Sequence, residues 1–206
     1  MSGKQIVIVD YEMGNKRSII NALAYLGYSA TISQDAKTIQ NADALILPGV
    51  GAFKDAMENI RRLLLQAPLE DAVLKKKTPL FGICLGMQIL AQEGFEGGKT
   101  KGLGFIDATV EPLGSLHVGF NAIEILQKEP LYTTIEEDTH FYFDHSYHMV
   151  APIENISART LYHDKLVCAS IQKENIFATQ FHPEKSQRAG LKLLRNFLNY
   201  MENYNG

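Results

Sequence analysis

Over the first half of the chain, short apolar runs alternate with segments whose apolar residues recur at helical spacing. Four runs have the length and composition of buried strands, at residues 4–10, 29–32, 43–47 and 79–83. Amphipathic patterns between them predict helices at residues 19–26, 53–65 and 69–74. This strand–helix order predicts an α/β fold with a mostly parallel central sheet and helices on both faces.

After residue 105 the pattern changes to shorter apolar stretches that are separated by turn residues. These stretches predict strands at residues 106–110, 118–125 and 139–143, and a hairpin made of 165–172 and 175–181. We expect the three strands between residues 106 and 143 to form an antiparallel extension of the sheet, packed over one of its edges. An amphipathic helix at 189–204 closes the chain, whose 206 residues and 46% apolar content suit one domain spanning residues 1–206.

Composition narrows the possible functions. A net charge of −3 gives no broad basic surface, so nucleic acid is not an expected partner, and no apolar run has the length of a membrane span. Cysteine and histidine do not cluster at metal-ligand spacing, and no nucleotide-binding fingerprint is present, so we expect neither a metal nor a cofactor. Only two cysteines occur, and we see no secretory leader, which predicts a cytoplasmic protein.

The most informative stretch for chemistry is Phe81–Gln88, where an apolar strand pattern passes into a helical one at Cys84. Gly82 and Gly86 flank this cysteine in a Gly-x-Cys-x-Gly frame, which is the layout of a nucleophile elbow. A thiol at the start of a helix has a lowered pKa and lies beside free backbone N–H groups. The alternative, that Cys84 is simply a small buried residue, is weakened by the two glycines.

A nucleophilic thiol needs a base, and the base needs a group that orients it. Among the six histidines only His182 directly follows a predicted strand, and Pro183 fixes the chain direction between it and Glu184. We therefore predict that Glu184 accepts a hydrogen bond from one ring nitrogen while the other serves Cys84. The alternative is a surface His-Pro-Glu turn without function.

These two stretches resemble the active-site signatures of the class I (triad) glutamine amidotransferases. Three further stretches are similar to one group of that family, the HisH amidotransferase subunits of imidazole glycerol phosphate synthase, and they lie at residues 8–15, 47–53 and 141–147. The resemblance covers essentially the whole chain. It implies hydrolysis of L-glutamine to glutamate and ammonia through a Cys84 thioester. It also implies a heterodimer with a HisF-type (β/α)8-barrel cyclase that uses the ammonia to make imidazole glycerol phosphate and AICAR.

The glycine-rich turn after the third predicted strand is a candidate oxyanion hole. Adjacent parallel strands end at the same sheet edge, so Gly49, Val50 and Gly51 are expected to offer N–H groups towards Cys84. The N–H of Leu85 is the second expected donor. The resemblance implies that a peptide of this turn reorients before it can act as a donor.

Further site residues follow from the resemblance alone. It implies contacts with glutamine from two side chains near the elbow and from the backbone after a predicted strand, at Gln88, Glu96, Ser146 and Tyr147. It also implies an interface with the cyclase, formed in part by Met13, Asn15, Phe120 and Lys185.

The sequence departs from the HisH pattern at several positions. Phe120 stands where tryptophan is common, Asp144 stands where an apolar residue is usual, and Glu12 and Lys16 replace the common glycine and leucine. These changes fit an alternative, a HisH paralogue that supplies ammonia to a different barrel for amidination of a surface sugar. A second alternative is a PfpI-like protein that keeps the cysteine elbow without amidotransferase activity.

Overall fold

The computed structural model describes residues 3–204. Its larger sheet contains five parallel strands, namely β1 (Ile6–Val9), β2 (Ala30–Ser33), β3 (Ala44–Leu47), β4 (Leu80–Ile83) and β12 (Ile176–Thr179). They lie in the order β2–β1–β3–β4–β12. This arrangement places the carboxyl ends of β3, β4 and β12 side by side.

Three antiparallel strands continue this sheet beyond β12, in the order β11 (Lys165–Lys173), β10 (Ile156–Tyr162) and β8 (Glu124–Ile125). The predicted α/β fold, with a mostly parallel sheet and an antiparallel extension, is therefore confirmed. The strand β10 was not predicted, because its buried positions include polar residues such as Ser157 and Thr160 that mask the apolar alternation.

Helices cover both faces of the sheet because neighbouring strand residues point in opposite directions. The helices are α1 (Lys16–Tyr25), α2 (Ala36–Gln40), α3 (Phe53–Arg62), α4 (Gln66–Glu70), α5 (Leu85–Gln88) and α6 (Gln187–Asn203). Val7 and Leu45 belong to the core under α2, α3 and α4. Ile8 and Ile46 belong to the core under α1 and α6.

Most of the residues predicted to extend the central sheet instead form a second sheet. Its strands are β5 (Glu93–Gly94), β6 (Thr100–Lys101), β7 (Thr109–Ala122) and β9 (His140–Val150), in the order β6–β5–β7–β9. The two predicted short strands at 106–110 and 118–125 are mainly one long strand, β7, which pairs with β9. Alternate residues of β9 are buried, including Phe141 and Phe143, so one face of this sheet packs on the core.

Two hydrogen bonds fix the second sheet over the ends of β4 and β12. The N–H of His182 donates to the carbonyl of Tyr142 at 2.8 Å, and the N–H of Tyr142 donates to Ser186 Oγ at 2.9 Å. The elbow helix α5 ends at Gln88, and the predicted helix at 69–74 is α4 followed by a π-helical turn, Asp71–Lys75. No helix among residues 3–204 is long and apolar enough to cross a membrane.

Candidate active site

Cys84 lies at a sharp strand-to-helix turn between β4 and α5. Its backbone angles are φ 52° and ψ −108°, a strained conformation for a residue with a side chain. A Cβ atom on Gly86 would lie 2.0 Å from the carbonyl oxygen of Leu47, and one on Gly82 would lie 2.8 Å from the carbonyl oxygen of Gly86. The glycines of the Gly-x-Cys-x-Gly frame are therefore required because backbone approaches backbone here.

Cys84 is 6% exposed, and its thiol faces two polar groups. Its Sγ lies 3.8 Å from the carbonyl oxygen of Asp144, which accepts from the thiol, and 3.5 Å from Nε2 of Gln180, which donates to it. The N–H of Cys84 donates to the carbonyl of Thr179 at 2.7 Å, which ties the elbow to the end of β12. The nucleophile is thus held by the strand that also delivers His182.

His182 and Glu184 form a buried pair beside Cys84. The distance between Nδ1 of His182 and Oε1 of Glu184 is 2.8 Å, and both side chains are 3% exposed. Burial by itself lowers the pKa of His182, but its hydrogen bonds to Cys84 and Glu184, with the negative charges there, outweigh burial and raise the pKa from 6.5 to about 10. Because Nδ1 is engaged by Glu184, Nε2 is the nitrogen available to the thiol.

A pocket of about 240 Å³ opens above the thiol. It is lined by Cys84 and His182 together with the predicted site residues Val50, Gly51, Leu85, Gln88, Glu96, Ser146 and Tyr147. Gly49 does not line it, because a Cβ there would lie 2.3 Å from the N of Gly86, so this glycine is packed against the elbow. A larger cavity of about 630 Å³ lies between residues 129–134 and the end of α6, but no candidate catalytic side chain lines it.

Two glutamines connect the far wall of the pocket to the thiol. Nε2 of Gln88 donates to the carbonyl of Tyr147 at 2.9 Å and to Oε1 of Gln180 at 3.0 Å. Gln180 then donates through its own Nε2 to Cys84. Both N–H groups of the Gln88 amide are consequently used within the protein, which leaves its Oε1 to face a ligand.

The turn that contains Val50 is held by contacts from three directions. The buried Tyr11 hydroxyl donates to the carbonyl of Pro48, and burial together with the Cys84 charge raises the pKa of Tyr11. A Cβ on Gly51 would lie 2.3 Å from Cε of Met13. Oε2 of Glu96 accepts from the N–H of Phe53 at 2.7 Å, at the start of α3.

Two of the residues predicted for a partner interface, Met13 and Lys185, contact residues that line the pocket. Phe120 is 46% exposed, and its ring meets that of Tyr142 edge-on at 5.5 Å. Nζ of Lys185 lies 5.4 Å from the centre of the Tyr142 ring and 3.8 Å from Oδ2 of Asp144. On the other side of the pocket, Met13 abuts Gly51, whereas the Asn15 side chain caps α1 by accepting from the N–H of Ser18 at 3.3 Å.

Sequence reasoning missed Gln180 and Tyr11 as parts of the site. Gln180 is adjacent in sequence to the His182 signature, and that position was the available signal. Tyr11 lies in the stretch at residues 8–15 that resembles HisH subunits, but no chemical role follows from its position there, and only the fold shows that its hydroxyl reaches Pro48. The second cysteine, Cys168, is buried as predicted, and burial raises its pKa to about 12. No cluster of metal-ligating side chains occurs among the described residues.

An elbow cysteine beside a buried His–Glu pair, at the edge of a mostly parallel sheet, defines a thiol-dependent hydrolytic or transfer site. Residues 7–201 match the family described as glutamine amidotransferase class-I. The chain therefore belongs to the class I glutamine amidotransferase family.

Within that family the chain is similar to imidazole glycerol phosphate synthase subunits. It is 46% identical over 199 residues to subunit HisH 1 of Campylobacter jejuni (strain RM1221), which covers 94% of this chain and 98% of that protein. It is 43% identical to subunit HisH 2 of Vibrio vulnificus (strain YJ016), over 96% of this chain and 95% of that protein.

Solved structures share the fold at lower identity. A crystal structure titled glutamine amidotransferase superposes with a TM-score of 0.75 at 23% identity, covering 95% of this chain and 98% of that chain. PurLQS from Thermotoga maritima superposes with a TM-score of 0.73 at 18% identity, covering 96% of this chain and 99% of that chain.

Proposed function

We propose that this chain is the glutaminase subunit of an imidazole glycerol phosphate synthase and supplies ammonia for histidine biosynthesis. The observation that carries the proposal is the Cys84–His182–Glu184 arrangement beside a small pocket, in a chain that matches HisH subunits over nearly its whole length. The PfpI-like alternative is not favoured, because residues 7–201 match the class-I glutamine amidotransferase family and Glu184 lies within hydrogen-bond distance of His182.

The first half-reaction forms a thioester. The Cys84 sulfur attacks the carboxamide carbon of L-glutamine, and the C–N bond breaks after His182 gives its proton to the departing nitrogen. Ammonia leaves, and the γ-glutamyl group remains bonded to Sγ. Glu184 keeps the imidazole in the tautomer that this transfer needs, because its Oε1 accepts from Nδ1.

The second half-reaction releases glutamate. The neutral His182 takes a proton from a water molecule, and the resulting hydroxide attacks the thioester carbon. The C–S bond breaks, glutamate leaves, and the sulfur returns to its starting state beside a protonated imidazole. No redox change or cofactor enters either half.

Both steps pass through a tetrahedral oxyanion, which requires donors near the elbow. We assign this role to the N–H of Leu85 and to the N–H groups of Val50 and Gly51, all of which line the pocket. Gly49 stays a predicted donor of the same turn, and because it has no side chain the turn can approach the elbow at Gly86, where a Cβ on residue 49 would lie 2.3 Å from the backbone N.

Four residues are assigned to glutamine itself. Gln88 offers its free Oε1, which can accept from the substrate, and Glu96 offers a carboxylate that can attract the α-amino group. Ser146 and Tyr147 border the same pocket and offer backbone groups to the α-carboxylate. A pocket of about 240 Å³ suits a ligand of this size.

The ammonia acceptor is proposed to be a HisF-type (β/α)8-barrel cyclase that docks over the pocket mouth. Three exposed apolar side chains lie on one side of β7 there, Leu116, Val118 and Phe120. Met13, Asn15, Phe120 and Lys185 remain the residues we assign to this interface. From the sequence we further predict that the chain is a single domain and that it is cytoplasmic.

The direct test is glutamate release from glutamine by the purified chain, alone and with a HisF-type cyclase carrying its nucleotide ligand. We expect strong stimulation by the liganded cyclase. Activity that no histidine-pathway cyclase stimulates would contradict the acceptor and favour the paralogue that serves a different barrel. Absence of any glutamate release in both conditions would contradict the glutaminase assignment itself.

A further inference from the structure

Two buried histidines at the substrate pocket play no part in the mechanism above: His145 lines the pocket, and His117 lies behind it. His117 in β7 and His145 in β9 are partners across the strand ladder, and they are 1% and 5% exposed. Nδ1 of His117 lies 3.0 Å from Nε2 of His145, and Nδ1 of His145 lies 2.8 Å from the carbonyl oxygen of Tyr147. The arrangement is a short relay that ends at the pocket wall.

The hydrogen bonds fix where the protons of both rings are. A carbonyl oxygen can only accept, so Nδ1 of His145 must carry the hydrogen that Tyr147 receives. Nε2 of the neutral His145 ring is then an acceptor, and Nδ1 of His117 must carry the second hydrogen. Nε2 of His117 is left unprotonated, and it is buried without a hydrogen-bond partner among residues 3–204.

Both rings are neutral under ordinary conditions. Burial lowers the pKa of His145 to about 3 and that of His117 to about 4. The titratable groups that face them act in the same direction, because His148 and His182 repel a charge on His145 and His163 repels one on His117. The tautomers set by geometry consequently persist at neutral pH.

The relay supports a part of β9 that the strand ladder leaves unsupported. Pro112 pairs with Tyr147 and His117 pairs with His145, so residues 113–116 of β7 stand opposite Ser146 alone. Ser146 has no partner in the β7–β9 register at this irregularity. The carbonyl of Tyr147 is instead held by side chains, from His145 on one side and Gln88 on the other.

We propose that the His117–His145 pair positions the Ser146–Tyr147 segment for binding glutamine, so that His117 controls substrate affinity although it does not line the pocket. The inference rests on the proposed glutaminase function. His117 and His145 are positioning residues in this account, since their hydrogen bonds act on the pocket wall and not on the reacting atoms.

A matched pair of substitutions separates the hydrogen bond from the packing of the ring. His117 stacks on Phe143 at 4.5 Å and on Tyr162 at 4.0 Å, and His117→Phe keeps an aromatic ring there while removing the donor. His117→Asn loses the ring but keeps an N–H at the δ position. We expect His117→Phe to raise the KM for glutamine roughly tenfold, because a buried acceptor on His145 loses its donor, with kcat changed less than about threefold.

His117→Asn should bring the KM back to within about threefold of the wild type, measured with the liganded cyclase present. An unchanged KM in His117→Phe, or a fall in kcat at unchanged KM, would overturn the inference. His117→Phe could be tested only if it folds. If it does not, His117→Asn decides the matter alone, and a KM about tenfold or more above the wild-type value would overturn the inference.

Nitrogen-15 NMR of the wild-type chain gives a readout that needs no turnover. We expect both His117 and His145 to carry their proton on Nδ1, and an Nε2–H signal for either ring would overturn the relay. A chain with the expected tautomers but no glutamate release would contradict the proposed function and not the geometry of the pair. The two failures are therefore distinguishable.

Discussion

The two sides of the substrate pocket are built differently. On the elbow side, Cys84, Gln180 and His182 are at most 6% exposed and lie at the ends of adjacent parallel strands. On the turn side, Val50 is 51% exposed and Gly51 is exposed as well. The nucleophile, its base and the proposed donor Leu85 are thus enclosed by the core, whereas the proposed donors Val50 and Gly51 lie at the surface.

The difference follows from what holds each side. Ladder hydrogen bonds and backbone contacts at Gly82 and Gly86 determine the elbow, and these cannot shift without moving β3 or β4. The turn depends on a hydrogen bond from Tyr11, a contact from Met13 and the Glu96 carboxylate at the start of α3. We infer that proton transfer is prearranged while the oxyanion donors Val50 and Gly51 can adjust, which gives a docked partner a place to act.

The largest effect should come from removing the nucleophile on the rigid side. Cys84→Ala should abolish glutamine-dependent activity, a loss of about 10⁴-fold or more, because no thioester can form. Synthesis from free ammonia by the associated cyclase should continue at its normal rate. Comparing glutamine with ammonium as nitrogen source in the same complex measures both, and equal loss with the two sources would indicate that Cys84 is structural.

Substituting one glycine on each side of the pocket tests the comparison through the stability of the protein. Gly86→Ala places a Cβ 2.0 Å from the carbonyl oxygen of Leu47, and we expect a loss of about 3 kcal/mol or more in the free energy of unfolding. Gly51→Ala meets only the end of the Met13 side chain, at a φ of +128°, and should cost about 1–2 kcal/mol. Urea unfolding measures both, and a Gly51→Ala cost equal to that of Gly86→Ala would remove the distinction.

The turn side can be tested through a single N–H group. Val50→Pro removes a proposed oxyanion donor and should lower kcat about 100-fold in the complex. Val50→Ala is the matched control, because the valine side chain is half exposed and its loss should change kcat less than about twofold. Similar kcat values for the two variants would mean that the Val50 N–H does not serve the oxyanion.

The smallest expected effect is a pH dependence of stability from the buried pair. The folded-state pKa of His182 is raised from 6.5 to about 10, so the proton on His182 stabilises the fold fully below pH 6.5, and this contribution is lost as the pH rises through about 10. Glu184→Gln removes one of the charges that raise this pKa. Its free energy of unfolding should therefore fall less steeply over the same pH range, and identical slopes for variant and wild type would contradict the coupling.

The sequence predicted the parts of the site whose signals are local. The glycines around Cys84 and the proline between His182 and Glu184 act on the backbone within a few residues. Their structural effects can therefore be predicted without knowledge of the fold. The strand–helix alternation likewise predicted the sheet that brings these segments together.

What the sequence left out depends on contacts between distant segments. Gln180 reaches Cys84 and Gln88 only because β4 and β12 are neighbours. His117 acquires its proposed role from an irregular pairing of β7 with β9, and the close approach of Gly49 to Gly86 is visible only in the fold. The strands β7 and β9 form a sheet of their own and not part of the predicted extension, because alternation predicts a strand but not its neighbours.

The most direct test of the account is a chemical quench of the wild-type complex during glutamine turnover, followed by mass spectrometry of the peptide that contains Cys84. We predict that this peptide carries one γ-glutamyl group bonded to sulfur, and that the group is absent from the Cys168 peptide and from the Cys84→Ala variant. Continued glutamate release with an unmodified Cys84 at every quench time would contradict the covalent mechanism on which the proposed function is built.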